Sequence, residues 1–376
     1  MTIVWFILNF AWQALVVFVV STLLFDVLHY LLHRWGRSTS KLLRTFAAWH
    51  WVHHAFLDRH MRVHLDLTRK NLIYHVMPEY LTSLAGTLIF LLVFPWPPVA
   101  AIAVLRTWML VLTIRDEGID GNHMAMDRVS GRQGLFWVSA HYHAMHHIYP
   151  ENFYSSFSNV FDLFAGTTCQ ISGRRFLVTG ANGAFGSAIK ARLEKLGGIV
   201  ETAKSGVDFA AGDYDRMDEK LARAQVLVLA HGAKTDGAWD ANYTTFVDLV
   251  DRFIEVGKAR LIPPEVWALG SEAEFHGDMG MAELKDYAAS KRAYAQQARG
   301  YYQNPALIYR HIVPSSFRSQ MGPGPMSADT AARIALFFIR RGFSYVPVTL
   351  TSLALWNYFR FRALKPGPSV RPVKTA

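Results

Sequence analysis

Long apolar stretches dominate the first third of the chain. Residues 1–25 carry no charged side chain and are rich in Val, Leu, Phe and Trp. A helix rises about 1.5 Å per residue, so this length spans the roughly 30 Å hydrocarbon core of a bilayer. A second apolar stretch, residues 80–114, is broken by Pro-Trp-Pro-Pro at 95–98 and contains Arg106 as its single charge. The pattern predicts a spanning helix that ends at Asp26, followed by a hairpin of two short helices.

After residue 168 the pattern changes to short apolar runs separated by stretches with helical periodicity. Apolar runs at 175–179, 198–203 and 226–229 predict strands, and residues 187–196 predict a helix. Strands that alternate with helices are typical of a parallel sheet. The sequence therefore predicts an all-α integral-membrane half followed by an α/β, Rossmann-like half with a doubly wound parallel sheet.

Composition supports membrane association. Hydrophobic residues make up 51% of the 376 residues and charged residues only 18%, which is not typical of a soluble globular protein. Cys169 is the single cysteine, so an intramolecular disulfide and a cysteine-based metal cage within one chain are both excluded.

The net charge of +10 is concentrated in a C-terminal segment. Residues 330–376 contain eight Lys and Arg residues and no Asp or Glu. The cations and nearby aromatic residues are Arg340, Arg341, Arg360, Arg362, Lys365, Arg371 and Lys374, with Trp356, Tyr358, Phe359 and Phe361. This mixture favours an anionic membrane surface over a solvated tail, and we expect no nucleic-acid partner. The predicted domains are 1–170, 171–348 and a basic aromatic membrane-surface tail at 349–376.

Histidine is concentrated in the predicted membrane half, which holds thirteen of the sixteen histidines. Three boxes occur there: His29-x-x-x-His33, His50-x-x-His53-His54 and His143-x-x-His146-His147. On a helix, residues three and four apart share a face, so the imidazoles of each box are expected to point at one centre. Eight such nitrogens suit two transition-metal ions, and imidazole by itself does not choose among iron, zinc, copper and nickel.

These boxes, with Asn122-His123, residues 152–154 and residues 161–167 between and after them, resemble the fatty acid hydroxylase/sterol desaturase family over residues 26–168. The resemblance implies two iron ions that activate O₂ as co-substrate to oxidise a membrane lipid, with electrons from a separate carrier protein. The implied ligands are His29, His33, His50, His53, His54, His143, His146 and His147, with His123 as an additional ligand. His60, His64, His75 and His141 lie outside the boxes and are interpreted as supporting or structural residues.

Two motifs carry chemistry in the second half. Thr179 to Gly186 reads Thr-Gly-Ala-Asn-Gly-Ala-Phe-Gly between a predicted strand and a helix, where glycines let the backbone approach a pyrophosphate. Tyr287 and Lys291 are four residues apart on one helical face, where an ammonium lowers the pKa of the phenol for proton exchange with a carbonyl oxygen.

Residues 174–348 resemble the short-chain dehydrogenase/reductase family through these motifs. The resemblance implies that Tyr287 exchanges the proton, that Lys291 supports it and contacts ribose, that Ser271 hydrogen-bonds the carbonyl and that Asn242 supports the proton relay. Cofactor contacts are implied for Thr179, Gly180, Gly183, Gly186, Lys204 and Asp208. Ala203 followed by Lys204 at the end of the second strand favours NADP over NAD.

This half also departs from the family. The chain reads Leu-Ala-His-Gly at 229–232 where the family has Asn-Asn-Ala-Gly, and Pro-Ser at 314–315 where it has Pro-Gly. These departures predict a substrate loop that is small or altered. They leave open the alternative that this half has lost catalytic activity. The eight basic and two acidic residues between 34 and 70 predict that this segment, and both catalytic halves, face the cytoplasm.

The sequence thus predicts a bifunctional membrane-bound lipid oxidoreductase. An O₂-dependent di-iron site would hydroxylate or desaturate a fatty acyl or sterol substrate, and an NADP-dependent site would change the oxidation level of the resulting alcohol or carbonyl. Two alternatives remain. One is a fatty-aldehyde-processing enzyme similar to plant wax-biosynthesis proteins, which share the order of the two halves. The other is a non-catalytic, nucleotide-sensing second half.

Overall fold

The structure is a computed structural model that describes residues 3–131 and 136–365. Contacts divide the chain into two compact units, Met1–Val129 with Gln133–Thr168, and Ser130–Arg132 with Cys169–Ala376. We call the first the helical unit and the second the sheet unit.

The helical unit contains seven α-helices in its described residues. They are α1 (Ile3–Trp35), α2 (Lys41–Phe56), α3 (Thr68–Asn71), α4 (Met77–Leu88), α5 (Trp96–Arg115), α6 (Ala140–Ile148) and α7 (Val160–Ala165). A π-helical turn, Leu72–Val76, joins α3 to α4, and a 3₁₀ turn, Ile89–Leu92, extends α4. Three segments are long and apolar enough to cross a membrane: Ile3–Trp35, Leu65–Leu92 and Trp96–Arg115.

Helix α1 continues nine residues beyond Asp26, where the sequence predicted its end. The Asp26 carboxylate is buried and accepts hydrogen bonds from the backbone N–H of Ser156 (2.9 Å) and from its hydroxyl (2.6 Å). Because Ser156 supplies two donors to Oδ1 inside the unit, the side chain is accommodated within the helix and does not end it. The extension carries the first histidine box.

The predicted hairpin is present, and its first segment already begins at Leu65. Helix α5 has its prolines in the first turn, where no N–H is required of them. Arg106, in the middle of α5, donates to the hydroxyls of Ser21 (2.6 Å), Thr22 (3.1 Å) and Thr87 (2.9 Å). These bonds join α1, α4 and α5 around a cation that would be costly in hydrocarbon without partners.

The sheet unit has six parallel strands and seven α-helices in its described residues. The strands are β1 (Arg175–Thr179), β2 (Ile199–Ala203), β3 (Val226–Leu229), β4 (Glu265–Leu269), β5 (Ile308–Pro314) and β6 (Tyr345–Val348). The helices are α8 (Ala184–Lys195), α9 (Asp218–Arg223), α10 (Thr245–Gly257), α11 (Ala273–His276), α12 (Lys285–Gln303), α13 (Ala328–Ile339) and α14 (Leu353–Ala363).

The strand order is β2-β1-β3-β4-β5-β6, all parallel. The chain order reverses between β1 and β3, and in sheets of this kind ligands bind beyond the carboxyl ends of the strands at that point. Alternate residues of β1 enter two cores: Phe176 and Val178 pack with α8 and α13, and Leu177 packs with α10 and α12. Both predicted fold classes, all-α with apolar helices and Rossmann-like α/β, are confirmed.

The segment predicted as a membrane-surface tail contains α14. One face of this helix is buried in the sheet unit through Ala354, Asn357 and Phe361. The opposite face exposes Trp356 and Phe359, each 66% accessible. Of the predicted cations of this segment, Arg371 and Lys374 lie outside the described residues.

Candidate functional site

Nine histidines of the helical unit form two groups whose ligand nitrogens lie within 4.8 Å of one another. Helices α1, α2 and α6 carry eight of them, and the loop after α5 carries His123. Group one is His29, His33, His50, His54 and His146, and group two is His53, His123, His143 and His147. All nine ligands implied by the family resemblance are therefore brought together.

Each His-x-x-His-His box divides between the groups instead of pointing at one centre. A helix turns about 100° per residue, so residues i and i+4 lie about 40° apart while i+3 lies on the other side of i. On α2, His50 and His54 enter group one and His53 enters group two. On α6, His143 and His147 enter group two and His146 enters group one. Two helices thus supply both groups.

Hydrogen bonds fix the tautomers of two members of group one, His29 and His146. Nδ1 of His29 lies 2.8 Å from the carbonyl oxygen of Tyr154, and Nδ1 of His146 lies 2.7 Å from that of Asn152. A carbonyl oxygen only accepts, so each Nδ1 carries the proton and each Nε2 of a neutral ring presents a lone pair. The two Nε2 atoms are 3.0 Å apart. Facing lone pairs repel, and a cation between them removes the repulsion.

Group two has the same organisation. His147 donates from Nδ1 to the carbonyl of Leu57 (2.7 Å), and its buried Nε2 has no hydrogen-bond partner among the described residues. His123 donates from Nδ1 to the Asp120 carboxylate (2.8 Å), and its Nε2 lies 2.7 Å from Nε2 of His143. Partners of this kind orient metal-bound imidazoles in proteins.

The nitrogen separations suit ligands around a metal ion. Neighbouring Nε2 atoms lie between 2.7 and 3.3 Å apart. Metal–nitrogen bonds of about 2.0–2.1 Å place neighbouring ligands at about this separation. Burial lowers the pKa of His53, His54, His143, His146 and His147 below the usual range. The rings are therefore neutral, as metal ligands must be.

Asp162 supports this arrangement and was not singled out from the sequence as a site residue. Its buried carboxylate accepts from the backbone N–H groups of Tyr154 (3.0 Å) and Ser155 (2.7 Å) and from the hydroxyl of Tyr142 (2.7 Å). Tyr154 in turn provides the carbonyl that holds His29. One carboxylate thus connects α6 and α7 to the first box.

A cavity of about 380 Å³ adjoins both groups. His29 and His143 contribute to its wall, together with aromatic residues such as Phe25 and polar residues such as Glu79 and Arg106. Glu79 also pairs with His75 (3.3 Å), whose ring stacks on His53 at 3.7 Å between centroids. His75 therefore lies beside group two without belonging to it, and His60, His64 and His141 belong to neither group.

The glycine-rich loop follows β1 in the sheet unit. Gly180 has φ +67°, a left-handed conformation that glycine adopts without strain. A Cβ on Gly186 would lie 2.0 Å from the carbonyl oxygen of Gly180, so only glycine fits there. Gly183 precedes the first residue of α8, whose free N–H groups suit a pyrophosphate. This loop fits a dinucleotide.

Other implied cofactor contacts have identifiable positions. The Thr179 hydroxyl accepts from His231 Nδ1 (2.7 Å) and donates to the carbonyl of Val228 (3.2 Å), so it joins β1 to β3. Lys204 follows β2 and is exposed. The Asp208 carboxylate accepts from the Lys204 backbone N–H (2.7 Å), which with nearby cations lowers the pKa of that carboxyl.

The four implied catalytic residues lie in the segments beyond β3 and β4 and on α12. Tyr287 and Lys291 lie on α12, Ser271 lies two residues beyond β4, and Asn242 lies in a π-helical turn before α10. The Ser271 side chain lies beside the Tyr287 hydroxyl, and Lys291 donates from Nζ to the carbonyl of Leu269 (2.7 Å). Asn242 donates to the carbonyl of Ala233 (2.7 Å).

Burial shifts the pKa values of both Lys291 and Tyr287. Burial lowers the pKa of Lys291 to about 8, against the opposing charge of Glu274. Burial also raises the pKa of Tyr287, while its hydrogen bond with Ser271 lowers it. A lysine poised near neutrality beside a protonated phenol suits proton exchange with a carbonyl or alcohol.

The sheet order, glycine loop and Ser-Tyr-Lys group give the sheet unit a Rossmann-like fold with a candidate dinucleotide site, and the histidine boxes give the helical unit a candidate metal site. The structure agrees with both resemblances at this level, since a histidine-box arrangement and a Rossmann-like sheet are both present. Family models give no match to this chain.

Comparisons with known proteins found similar chains over one or both halves. Monoglucosyldiacylglycerol epimerase from Synechocystis is 26% identical, over 87% of this chain and 89% of its own length. Among solved structures, a Burkholderia cenocepacia short-chain dehydrogenase in complex with NADP is 15% identical, with a TM-score of 0.42 over 52% of this chain and 97% of its own. A Sphingobium yanoikuyae short-chain dehydrogenase in complex with NADPH is 17% identical, with a TM-score of 0.40 over 54% of this chain and 100% of its own.

Proposed function

We propose that this protein is a membrane-bound lipid oxidoreductase with two redox centres. The sheet unit would interconvert a hydroxyl and a carbonyl of a lipid with NADP, and the histidine groups would hold two iron ions for O₂-dependent oxidation of a lipid. The observation that carries the proposal is the facing of Nε2 lone pairs, such as those of His29 and His146 at 3.0 Å.

In the sheet unit, a bound nicotinamide dinucleotide would supply or accept the hydride. Tyr287 would give a proton to the carbonyl oxygen of the substrate in the reducing direction and take it from the hydroxyl in the oxidising direction. Ser271 would hold that oxygen by a hydrogen bond. Lys291 would stabilise the phenolate when the proton has left.

In the helical unit, two iron ions would supply the oxidising chemistry when bound. His29 and the other members of group one would hold one ion, and group two, with His123 fixed by Asp120, would hold the other. The adjoining cavity would position the lipid. Hydride carries two electrons and iron takes one at a time, so we expect a separate electron carrier protein.

We propose that both centres face the cytoplasm. Support comes from the excess of basic residues between 34 and 64 and from the two apolar segments that follow it in the described residues, Leu65–Leu92 and Trp96–Arg115. A hairpin of two segments returns the chain to the side it left.

Two measurements on purified protein in nanodiscs test the proposal. About two iron ions per chain are expected after reconstitution, and a content below one would contradict the di-iron part. NADPH-dependent turnover of lipid hydroxyl or carbonyl groups should be lost in Tyr287→Phe while nucleotide binding remains. Tyr302→Phe, at the far end of α12, is the matched control. A Tyr287→Phe variant with full turnover would exclude catalysis by this residue.

A second candidate is the epimerisation of a glycolipid. It is favoured by the Synechocystis epimerase, which this chain matches over most of both lengths. Tyr287 would take the proton of a sugar hydroxyl as hydride passes to the nucleotide. The resulting carbonyl would then receive both back, with the hydride on its other face. This reaction is redox-neutral and needs no electron carrier.

Monoglucosyldiacylglycerol given to the nanodisc-embedded protein distinguishes the two candidates. An epimerase would form the inverted glycolipid without consuming added NADPH or O₂. The main proposal instead requires net consumption of a reductant or of O₂. Repeating the assay after chelation of iron shows whether the histidine groups take part.

We also propose that the exposed face of α14 lies on an anionic membrane surface. Trp356 and Phe359 are exposed there, and residues 330–376 have no acidic side chain to oppose the basic ones. A nitroxide at Trp356→Cys should be more accessible to O₂ than to a nickel complex in nanodiscs with anionic lipid. The same label at Lys258→Cys is the control, and equal behaviour of the two would contradict the proposal. The native Cys169 is buried.

A further inference from the structure

A buried carboxylate lies directly behind the Ser-Tyr-Lys group of the sheet unit. Glu274, on α11, is 2% exposed and belongs to none of the motifs recognised in the sequence. Its Oε1 accepts from the backbone N–H of Ser271 (2.9 Å), and its own N–H donates to the carbonyl of Ser271 (3.0 Å). The two residues are thus locked together through both backbone groups of Ser271.

His311, from β5, holds the other side of this carboxylate. Its Nε2 lies 3.1 Å from Oε1 and 3.0 Å from Oε2 of Glu274, and the imidazole is fully buried. Nδ1 of the same ring lies 3.2 Å from the hydroxyl of Tyr309. Burying a carboxylate is costly unless its hydrogen bonds are satisfied. The Glu274 carboxylate and the His311 imidazole therefore depend on each other, and replacing either one removes a hydrogen-bond partner from the other.

Gly270, the residue before Ser271, leaves room for the side chains of Glu274 and His311. A Cβ on Gly270 would lie 2.2 Å from Oε1 of Glu274 and 2.9 Å from the ring of His311. Only glycine therefore permits the carboxylate to approach. On the opposite side, Lys291 bonds to the carbonyl of Leu269. The strand end from Leu269 to Ser271 is held between the catalytic lysine and the buried carboxylate.

We infer that Glu274, held by His311, is a positioning residue that fixes Ser271 against Tyr287 and places a negative charge behind the reacting groups. The inference rests on the proposed hydroxyl–carbonyl chemistry of the sheet unit. It assigns a role to two residues that the family motifs do not contain.

The charge of Glu274 acts on both members of the proton-exchanging pair. It raises the pKa of Lys291 against the larger effect of burial, and it adds to the rise in the pKa of Tyr287 that burial causes. Other titratable or charged groups that face Glu274 or its backbone are Arg292, Tyr294, Tyr309, His311, Tyr345 and Arg360. Removal of this charge lowers both pKa values.

The test compares Glu274→Gln and Glu274→Ala with Glu272→Gln in the full chain in nanodiscs. Glu272 is equally buried two residues away, but its carboxylate accepts from Thr349, Thr351 and the N–H of Ala354. It therefore reports the general cost of losing a buried carboxylate in this segment without changing the bonds to Ser271.

We expect kcat to fall about tenfold in Glu274→Gln, which keeps an acceptor for Ser271, and about 100-fold in Glu274→Ala. Nucleotide affinity should be unchanged, and the alkaline limb of the pH–rate profile should move to lower pH in Glu274→Gln. Glu272→Gln should keep kcat within about twofold of the wild-type value. Equal losses in the two glutamine variants, or an unmoved pH profile, would overturn the inference.

A readout without turnover separates this inference from the proposed function. 3-Fluorotyrosine placed at position 287 gives a ¹⁹F signal whose titration midpoint reports the phenol. The midpoint should move to lower pH in Glu274→Gln and stay in place in Glu272→Gln. If that shift occurs in a protein that turns over no lipid, the proposed function fails and the coupling of Glu274 to Tyr287 stands. If the midpoint does not move, the inference fails whatever the activity.

Discussion

The helical unit and the sheet unit assemble their sites by different routes. Facing histidines of the helical unit come from positions as far apart as 117 residues, in His29 and His146. In the sheet unit, Tyr287 and Lys291 are neighbours on one helix, and the other catalytic groups follow strand ends. The first site depends on the packing of helices that are distant in sequence, and the second on a sheet whose edge brings the groups together.

The two sites also differ in what surrounds them. Imidazoles of the helical unit are oriented by single backbone carbonyls, such as those of Tyr154 and Leu57, which lie in loops. The residues proposed as catalytic in the sheet unit lie beside a sheet whose six strands form a continuous hydrogen-bonded ladder. We therefore expect the helical unit to need its metal for local order, and the sheet unit to keep its geometry without a ligand.

The largest expected effect is a loss of iron binding in the helical unit that leaves the sheet unit unchanged. His146→Ala removes a nitrogen that faces His29. Iron affinity should fall at least about 100-fold, because loss of a residue that only supports a metal ligand already costs up to about 100-fold. Nucleotide binding by the sheet unit should be unchanged. Metal analysis and nucleotide titration of the same sample measure both quantities. His60→Ala, which lies outside both groups, is the control; iron loss there as well would mean that the groups are not the metal site.

The next largest effect tests Asp162, which holds the Tyr154 backbone whose carbonyl orients His29. Asp162→Asn replaces an acceptor oxygen by an NH₂ group and leaves buried donors such as Ser155 N–H unsatisfied. We expect the free energy of unfolding to fall by about 3 kcal/mol, with a weaker iron affinity because Tyr154 no longer holds His29 in place. Asp127→Asn, at an exposed aspartate, is the control. Thermal unfolding followed by metal analysis gives both values.

A pH dependence is expected in the sheet unit. Because burial lowers the pKa of Lys291 to about 8, its ammonium is present below that pH and is lost above it. Turnover that requires the ammonium should decline about tenfold per pH unit above pH 8. Lys291→Met should lower turnover and remove this decline. A wild-type rate that stays constant to pH 10 would show that Lys291 remains charged or is not required.

The smallest expected effect concerns nucleotide choice. Lys204→Asp should reduce NADPH affinity by several-fold to about tenfold relative to NADH, since an exposed charge contributes about 1 kcal/mol. Competitive titration of the two nucleotides measures the ratio. An unchanged ratio would remove the argument for NADP.

The sequence by itself determined the elements whose chemistry is local. Apolar length identified the membrane-type segments, strand and helix periodicity identified the α/β order, and the glycine loop and Tyr287-x-x-x-Lys291 identified the candidate nucleotide site. These features depend on residues close together in the chain, where backbone geometry fixes which side chains share a face.

The tertiary structure decided what depends on contacts distant in sequence. It continued α1 past Asp26, where Ser156, 130 residues away, donates two hydrogen bonds to Oδ1 of the buried carboxylate. It divided each His-x-x-His-His box between two groups, which only the packing of α1, α2 and α6 determines. It also placed Glu274 and His311 behind Ser271 and docked α14 on the sheet unit. Buried polar groups are stable only where a hydrogen-bond partner is present, and here a residue distant in sequence supplies that partner. No local pattern specifies which residue it is.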